Sequence, residues 1–472
     1  MSIKPIEIEI EIESTENLPV PDEPVSVDRP RPAPVEAGER ILAVDALRGF
    51  ALLGILAMNI VDFAWPDAAY SDPLAGGGFT GSDRVVWYVN HLFFEAKMMT
   101  LFSMLFGAGL VLMDQRAAGR GASIRGVYYR RVLWLLAIGM AHAYLVWSGD
   151  ILVLYAECGL FLYFFRNLSP RALIATGITL LLLIVPLVMG LTAGLDYMKA
   201  VAARVEAQRL AGETPRPRDL RLHDIWIKEV QKHVDPTPEQ KRGEWDKSLA
   251  IHRGGYAGIV RHRAGELLFV HIMGLIFGVL SFAGGRMLLG MGLMKLGVFS
   301  AARSNRFYAI LAVLGYGIGL PMMVLDAERL IAHGFSSDYL MRGGYVYNAL
   351  GSVIVALGHV GAMMLLVKSG VWAVAIRRLS AVGRMALTNY LMQSIVGTTL
   401  FYGYGFGLFG TIPRTGLAAI VVAIWAVQLT VSPIWLRRFR YGPAEWLWRS
   451  LTYWRPQPIR APAVTGSASA LA

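Results

Sequence analysis

Apolar residues in this chain cluster into runs of about 20, the length an α-helix needs to cross a hydrocarbon core of roughly 30 Å. Ten such spans are predicted, at about 41 to 63, 98 to 116, 129 to 147, 150 to 166, 171 to 195, 265 to 285, 308 to 326, 345 to 367, 384 to 404 and 415 to 435. A shorter amphipathic segment, 84 to 96, leads into the second span. The expected fold is therefore all-α: a polytopic transmembrane helix bundle of about ten spans. Residues 1–40 break the pattern, with the acidic alternation IEIEIEIE followed by a stretch rich in Pro, Val and charge. An edge strand would fit the alternation, but the charge and proline predict a disordered cytoplasmic tail. The pattern divides the rest into a first bundle of five spans (41–195), an extracytoplasmic loop (196–264), a second bundle of five spans with a basic C-terminal segment (265–455), and a tail (456–472). No basic segment leads into an early apolar run, so no cleavable signal peptide is expected.

Composition supports the membrane reading: 55% of residues are hydrophobic and only 17% charged, against about 25% charged in soluble domains. The net charge of +11 does not redirect it toward nucleic acid, because basic loops in a membrane protein first report topology. With the N-terminus inside, the predicted cytoplasmic loops hold Arg116, Arg120, Arg125, Arg130 and Arg131; Arg166 and Arg171; Arg286, Lys295, Arg303 and Arg306; and Lys368, Arg377, Arg378 and Arg384. The first outer loop carries Asp67, Asp72 and Asp83 instead. Both termini are thus expected in the cytoplasm. The long connection, with Trp226, Trp245 and Tyr256, would form short helices over the outer mouth. A single cysteine, Cys158, excludes an intrachain disulfide.

Ionisable residues inside apolar spans face the bundle interior and are candidates for function. In the first span Asp45, Arg48 and Asn59 fall within about 60° of one another on a helix, with the amide roughly 21 Å beyond the acid. A plain i,i+3 ion pair at a helix start is the alternative for Asp45 and Arg48. In the third and fourth spans, Ser148-Gly149 forms a tight turn, Asp150 stands at a helix start, His142 lies within the membrane, and Glu157 follows near mid-membrane. A histidine within reach of a carboxylate is the arrangement that orients a general base. His271 and His359 have no acid in their own spans, so helix-to-helix hydrogen bonding is expected of them. His91, with Glu95 and Lys97, sits on the lead-in helix and is expected to line the outer mouth; Asn389 and Gln393 share a face as polar lining or interhelical glue. No CxxC or HExxH indicates a metal site, and no Walker or dinucleotide-binding motif is present.

The strings RILAVDALRGFALLGILAMNIVDF, KMMTLFSMLFGAG, AHAYLVWSGDILVLYA, GRMALTNYLMQS and SPIWLRRFRYGPAEWLWRSLTYW resemble the YeiB-like family of bacterial multipass proteins over about residues 40 to 455. The first string also resembles heparan-α-glucosaminide N-acetyltransferase and related integral-membrane acyltransferases, matching their motif at Asp45, Arg48, Gly49 and Asn59. Those proteins carry their catalytic histidine in the loop after that asparagine, whereas residues 60 to 82 here contain none; either His142 or His91 replaces it, or the chemistry of this protein differs.

The resemblance implies transfer of an acyl group from cytoplasmic acyl-CoA, acetyl-CoA being the expected donor, to an extracytoplasmic small-molecule, glycan or lipid acceptor. His142 would be the base, oriented by Asp150 or Glu157, with Asn59 as oxyanion donor. Asp45, Arg48, Arg130, Arg131 and Arg384 would form the cofactor-binding inner mouth. No metal and no nucleic acid are expected; membrane lipids surround the protein. A transporter with a polar intramembrane path is the alternative, and a membrane scaffold the third reading.

Overall fold

The computed structural model describes residues 40–234, 236–275 and 283–460. The expected tail 1–40, apart from Arg40, and the last part of the C-terminal tail lie outside these residues. The described residues form helices and no strand, in the order α1 (Leu42–Ala64), α2 (Gly81–Val89), α3 (Lys97–Ala118), α4 (Arg125–Leu145), α5 (Leu152–Phe165), α6 (Pro170–Leu182) and α7 (Ile184–Leu210). After these come α8 (Pro217–Ile225), α9 (Pro238–His252), α10 (Tyr256–Met273), α11 (Ala283–Lys295), α12 (Asn305–Ala332) and α13 (Val346–Ser369). The last four are α14 (Ala373–Arg384), α15 (Ala386–Phe401), α16 (Arg414–Arg438) and α17 (Pro443–Tyr453).

The chain is an all-α membrane helix bundle. Six helical stretches, Leu42–Ala64, Gly81–Ala118, Pro170–Leu210, Asn305–Ala332, Val346–Ser369 and Arg414–Arg438, are long and apolar enough to cross a membrane. The other expected spans are helical but fall outside that limit. α5 has 14 residues and α15 has 16, while α4 carries Arg125, Arg130 and Arg131. Of the span expected at 265 to 285, α10 holds the first part and α11 the last, and residues 276–282 lie outside the described residues.

Almost every residue of α1 is buried, because α3, α13, α14, α15 and α16 pack around it. The helix ends where Trp65 adopts an extended backbone before Pro66, a position that disfavours helix. The two expected sets of spans, 41–195 and 265–455, do not stand as successive bundles: α11 is wedged between α3 and α6, and α14 lies against α1. Glycines make the wedge possible. A Cβ on Gly107 would lie 2.0 Å from the Met287 carbonyl oxygen, and one on Gly290 would lie 2.0 Å from that of Met104. Close backbone approach through small residues is the usual means of helix association in lipid. It also buries Arg286, expected in a cytoplasmic loop, inside α11 next to Tyr155. The charge pattern predicts a loop at Arg286, but the packing of α11 makes this residue core.

The end of the bundle away from the arginine-rich termini is covered by the connection 196–264. Trp245 of α9 packs on Trp65 at a ring distance of 5.9 Å, His252 stacks on Phe409 at 4.6 Å, and the Tyr256 hydroxyl donates to the Leu145 carbonyl at 2.8 Å. Burial holds the His252 imidazole below its ordinary value.

Candidate active site

Gly49 and Gly383 bring the two ends of the chain together. A Cβ at Gly49 would lie 2.0 Å from the Leu379 carbonyl oxygen, and one at Gly383 would lie 1.9 Å from that of Asp45. Each glycine therefore seats the other helix's backbone, and each has an arginine beside it in the chain, Arg48 before Gly49 and Arg384 after Gly383. Arg48 donates to Asp45 Oδ1 at 2.9 Å, and Arg40 approaches the other oxygen at 3.8 Å. Arg384 lines the same opening. α17 completes it: the Arg131 guanidinium lies 4.0 Å over the Trp448 ring, while Trp448 Nε1 donates to the Arg131 carbonyl at 2.8 Å. The Glu445 carboxylate accepts from the backbone N–H groups of Leu387 and Thr388, at 2.6 and 3.0 Å, and so caps the start of α15.

Behind this mouth is a cavity of about 270 Å³. Seven arginines line it (Arg40, Arg48, Arg116, Arg120, Arg131, Arg384 and Arg449) against two carboxylates, Asp45 and Glu445, both already committed to protein partners. Crowding of like charge is visible at Arg40, which burial and the neighbouring Arg384 push down to about 10. A group of guanidinium ions at the rim of a low-dielectric pocket favours a polyanion, above all one bearing phosphate. Deeper in, the walls turn apolar, with Leu52, Ile55, Phe102, Phe106, Val132 and Leu135.

The inner end is formed by Ile151, Leu152, Tyr155 and Tyr390. Directly behind it stands His142. The loop between α4 and α5 places Asp150 so that its Oδ1 accepts from Val153 N at 2.9 Å, the helix-start role expected of an acid there. Its Oδ2 lies 2.6 Å from His142 Nδ1. A carboxylate at that distance accepts the Nδ1 proton and leaves Nε2 as the basic nitrogen. His142 is buried, and Nε2 has no hydrogen-bond partner among the described residues. The Tyr390 ring lies 5.3 Å from the imidazole, and Tyr390 also lines the cavity, so one aromatic side chain separates the base from the pocket.

The expected site residues divide clearly. Asp45, Arg48, Arg131 and Arg384 meet at the mouth, and His142 meets Asp150. Arg130 is outside the lining, since adjacent helix residues point about 100° apart. Glu157 lies outside it too, about 200° around α5 from Tyr155; its Oε2 is buried without a hydrogen bond, and Asp150 alone pairs with His142. Asn59 is half-buried one turn beyond Ile55 and lies outside the lining of this cavity. Among the described residues no group of three or more His, Cys, Asp or Glu side chains is arranged to hold a metal ion.

The chain is 31% identical over 440 residues to the uncharacterized protein YxaH of Bacillus subtilis (strain 168), covering 90% of this chain and 97% of that protein. It is 32% identical over 427 residues to the uncharacterized protein YeiB of Escherichia coli (strain K12), covering 88% and 96%. The chain belongs to the YeiB-like family. Residues 293–455 also match a domain family described as "Protein of unknown function (DUF418)".

Within this YeiB-like protein the sequence reading missed much of the cavity. Arg116 and Arg120 were read only as topology signals, and Arg449, Trp448 and Glu445 stand in the quoted C-terminal string without having been read as a site. Tyr155 and Tyr390 have no periodic signal that separates them from ordinary core. The remaining polar residues are resolved by their partners. His359 Nε2 donates to the Phe93 carbonyl at 3.0 Å and its Nδ1 meets the Tyr316 hydroxyl at 2.8 Å, the interhelical role expected. His271 instead has an unpartnered Nε2 and a ring contact with Tyr144. Asn389 and Gln393 are glue: Asn389 donates to Ser432 Oγ at 3.1 Å, and Gln393 to Gln428 Oε1 at 2.9 Å.

Proposed function

We propose that this protein is an integral-membrane acyltransferase of the bacterial plasma membrane, taking acyl groups from cytoplasmic acyl-CoA to an acceptor hydroxyl or amine that arrives from the other face. The observation that carries the reading is a single pocket with an arginine mouth whose inner end abuts a buried His–Asp dyad with a vacant Nε2. The arginines would hold the donor's phosphates through charge-assisted bonds. His142 would accept the acceptor's proton as its oxygen or nitrogen attacks the thioester carbonyl. The carbon–sulfur bond then breaks, and the departing thiolate takes the proton from the imidazolium. Asp150 stabilises the imidazolium formed between these steps.

The reading requires the arginine end to be cytoplasmic. Reporter fusions after Arg131, Arg306 and Arg384 should report inside, and one near Trp226 outside; an inside report from Trp226 would put the donor pocket on the wrong face. The chemistry is tested by incubating purified protein with acetyl-CoA and measuring free thiol. Acceptor-dependent thiol release that disappears in His142→Gln supports transfer.

A transporter is the second reading. A break at Glu95 and Ala96, beside buried ionisable side chains, interrupts the apolar stretch Gly81–Ala118, and broken helices of this kind form transporter sites. Binding of acyl-CoA without thioester cleavage, across a broad set of acceptors, would favour that reading.

A further inference from the structure

The break between α2 and α3 holds a second buried ionic cluster that the proposed chemistry does not use. After α2 the chain makes a π-turn at Asn90–Phe94, extends at Glu95, and turns through Ala96 at a left-handed φ of 57° before α3 begins at Lys97. π-turns within helices are common at functional sites. Carbonyls orphaned by the break are taken up by side chains: Lys97 Nζ donates to the His91 carbonyl at 2.5 Å, and His359 to that of Phe93. That part is structural.

The His91 ring is different. Its Nδ1 lies 2.7 Å from Glu95 Oε2 and its Nε2 lies 3.1 Å from Asp326 Oδ2 of α12, with both His91 and Asp326 only 1% exposed. A neutral imidazole has one N–H, so it can satisfy one of two flanking carboxylates and must turn a lone pair toward the other. One more proton, shared among His91, Glu95 and Asp326, would turn the 3.1 Å approach of Nε2 to Asp326 into an ion pair. Charge balance gives the same count. With that proton the two carboxylates are matched by one positive charge on the triad and by Lys97; without it a net negative charge is left in the bundle interior, where it is costly.

The other groups around the cluster do not replace the proton. Asn348 donates to Glu95 Oε1 at 2.9 Å and so uses its amide N–H on the second oxygen. Tyr339 lies within electrostatic reach of both Asp326 and Arg329, and Tyr70 and Arg414 lie within reach of Glu95. None of them donates a hydrogen bond to Asp326: its approach to His91 Nε2 is a contact at ion-pair distance, and neither that nitrogen nor the Asp326 oxygens have a hydrogen-bond partner among the described residues. Trp87 stacks on the imidazole at 5.0 Å and closes the site from its own side.

We propose that His91, Glu95 and Asp326 form a binding site for one exchangeable proton, which joins α12 to the broken α2–α3 helix. The site is separate from the arginine-mouthed cavity, so its test is independent of the acyl-transfer reading. The full chain in detergent micelles is unfolded reversibly by denaturant between pH 7 and 8, as wild type, His91→Gln and Asp326→Asn. The native state holds a proton that an unfolded histidine, with its ordinary value near 6.5, has already lost at these pH values. Wild-type stability should therefore fall as pH rises, by up to tenfold in the folding constant per pH unit relative to His91→Gln. Asp326→Asn supplies an amide N–H for Nε2 to accept, removes the need for the extra proton, and should flatten the same slope while keeping the fold. It decides the matter even where His91→Gln does not fold. A wild-type slope in Asp326→Asn, or a wild type no steeper than His91→Gln, overturns the site.

Discussion

The two histidine–carboxylate sites differ at one atom. In both, Nδ1 meets a carboxylate at hydrogen-bond distance, 2.6 Å for His142 and 2.7 Å for His91. Neither second nitrogen has a hydrogen-bond partner among the described residues, but the ring of Tyr390, beside His142, lines the pocket, whereas at His91 a second carboxylate lies 3.1 Å from that nitrogen. One carboxylate orients an imidazole and leaves the other nitrogen's lone pair for chemistry. A second carboxylate facing that nitrogen competes for the same lone pair, the arrangement proposed to hold a proton. Proximity of His to Asp or Glu in a sequence therefore does not identify a base until the other nitrogen's surroundings are known.

The strongest way to break this comparison is to remove each histidine. His142→Gln should lower acyl-transfer turnover by about 10²–10⁴-fold, the usual contribution of a positioned base, with membrane insertion and thermal stability retained. His91→Gln should leave turnover per folded molecule near wild type and lower stability instead. Equal turnover losses in the two variants would erase the distinction.

The next largest effect concerns the frame that positions the arginines. Gly49→Ala or Gly383→Ala would press a methyl group against a backbone carbonyl at 2.0 or 1.9 Å. Overpacking of that kind costs about 1–3 kcal/mol, which should appear as a lower unfolding midpoint and weaker donor binding together. Unchanged stability in both variants would show that α1 and α14 do not need this contact.

At the mouth, Arg48→Ala should weaken acyl-CoA binding about tenfold or more, since a charge-assisted hydrogen bond contributes about 1.5–3 kcal/mol. Arg48→Lys should recover only part of it, because the charge returns without the planar fork. Calorimetric titration at low and high salt reads both, and equal affinity in wild type and Arg48→Ala would exclude the donor role. The same changes should not alter the pH dependence assigned to His91.

The smallest expected effect is at the far end. His252 is held below its ordinary value by burial against Phe409 and Tyr402. A depressed imidazole contributes stability that is full above the unfolded value near 6.5 and is lost as pH falls toward the lower folded value. Proteolysis of the α8–α9 region should therefore quicken modestly below pH 6.5, and His252→Phe should remove that dependence. A rate that stays flat from pH 7 to 5 in the wild type would place His252 in a more open setting.

Apolar run length alone was enough to establish the all-α membrane bundle, because a hydrocarbon core imposes one length and one backbone solution on every span. The same local rules made the Asp45–Arg48 pair legible, as i,i+3 neighbours, and the His142–Asp150 pair, through the tight turn at Ser148-Gly149. What lay outside the reach of sequence depends on contacts across hundreds of residues. Arg449 and Trp448 join Arg48 and Arg131 only because Gly49 and Gly383 admit each other's backbones. Arg286 is buried only because α11 fits between α3 and α6, and Asp326 meets His91 from 235 residues away. Periodicity assigns a side chain to a face of its own helix; which helix that face meets, and so whether a second nitrogen finds a carboxylate or an open pocket, is decided by packing.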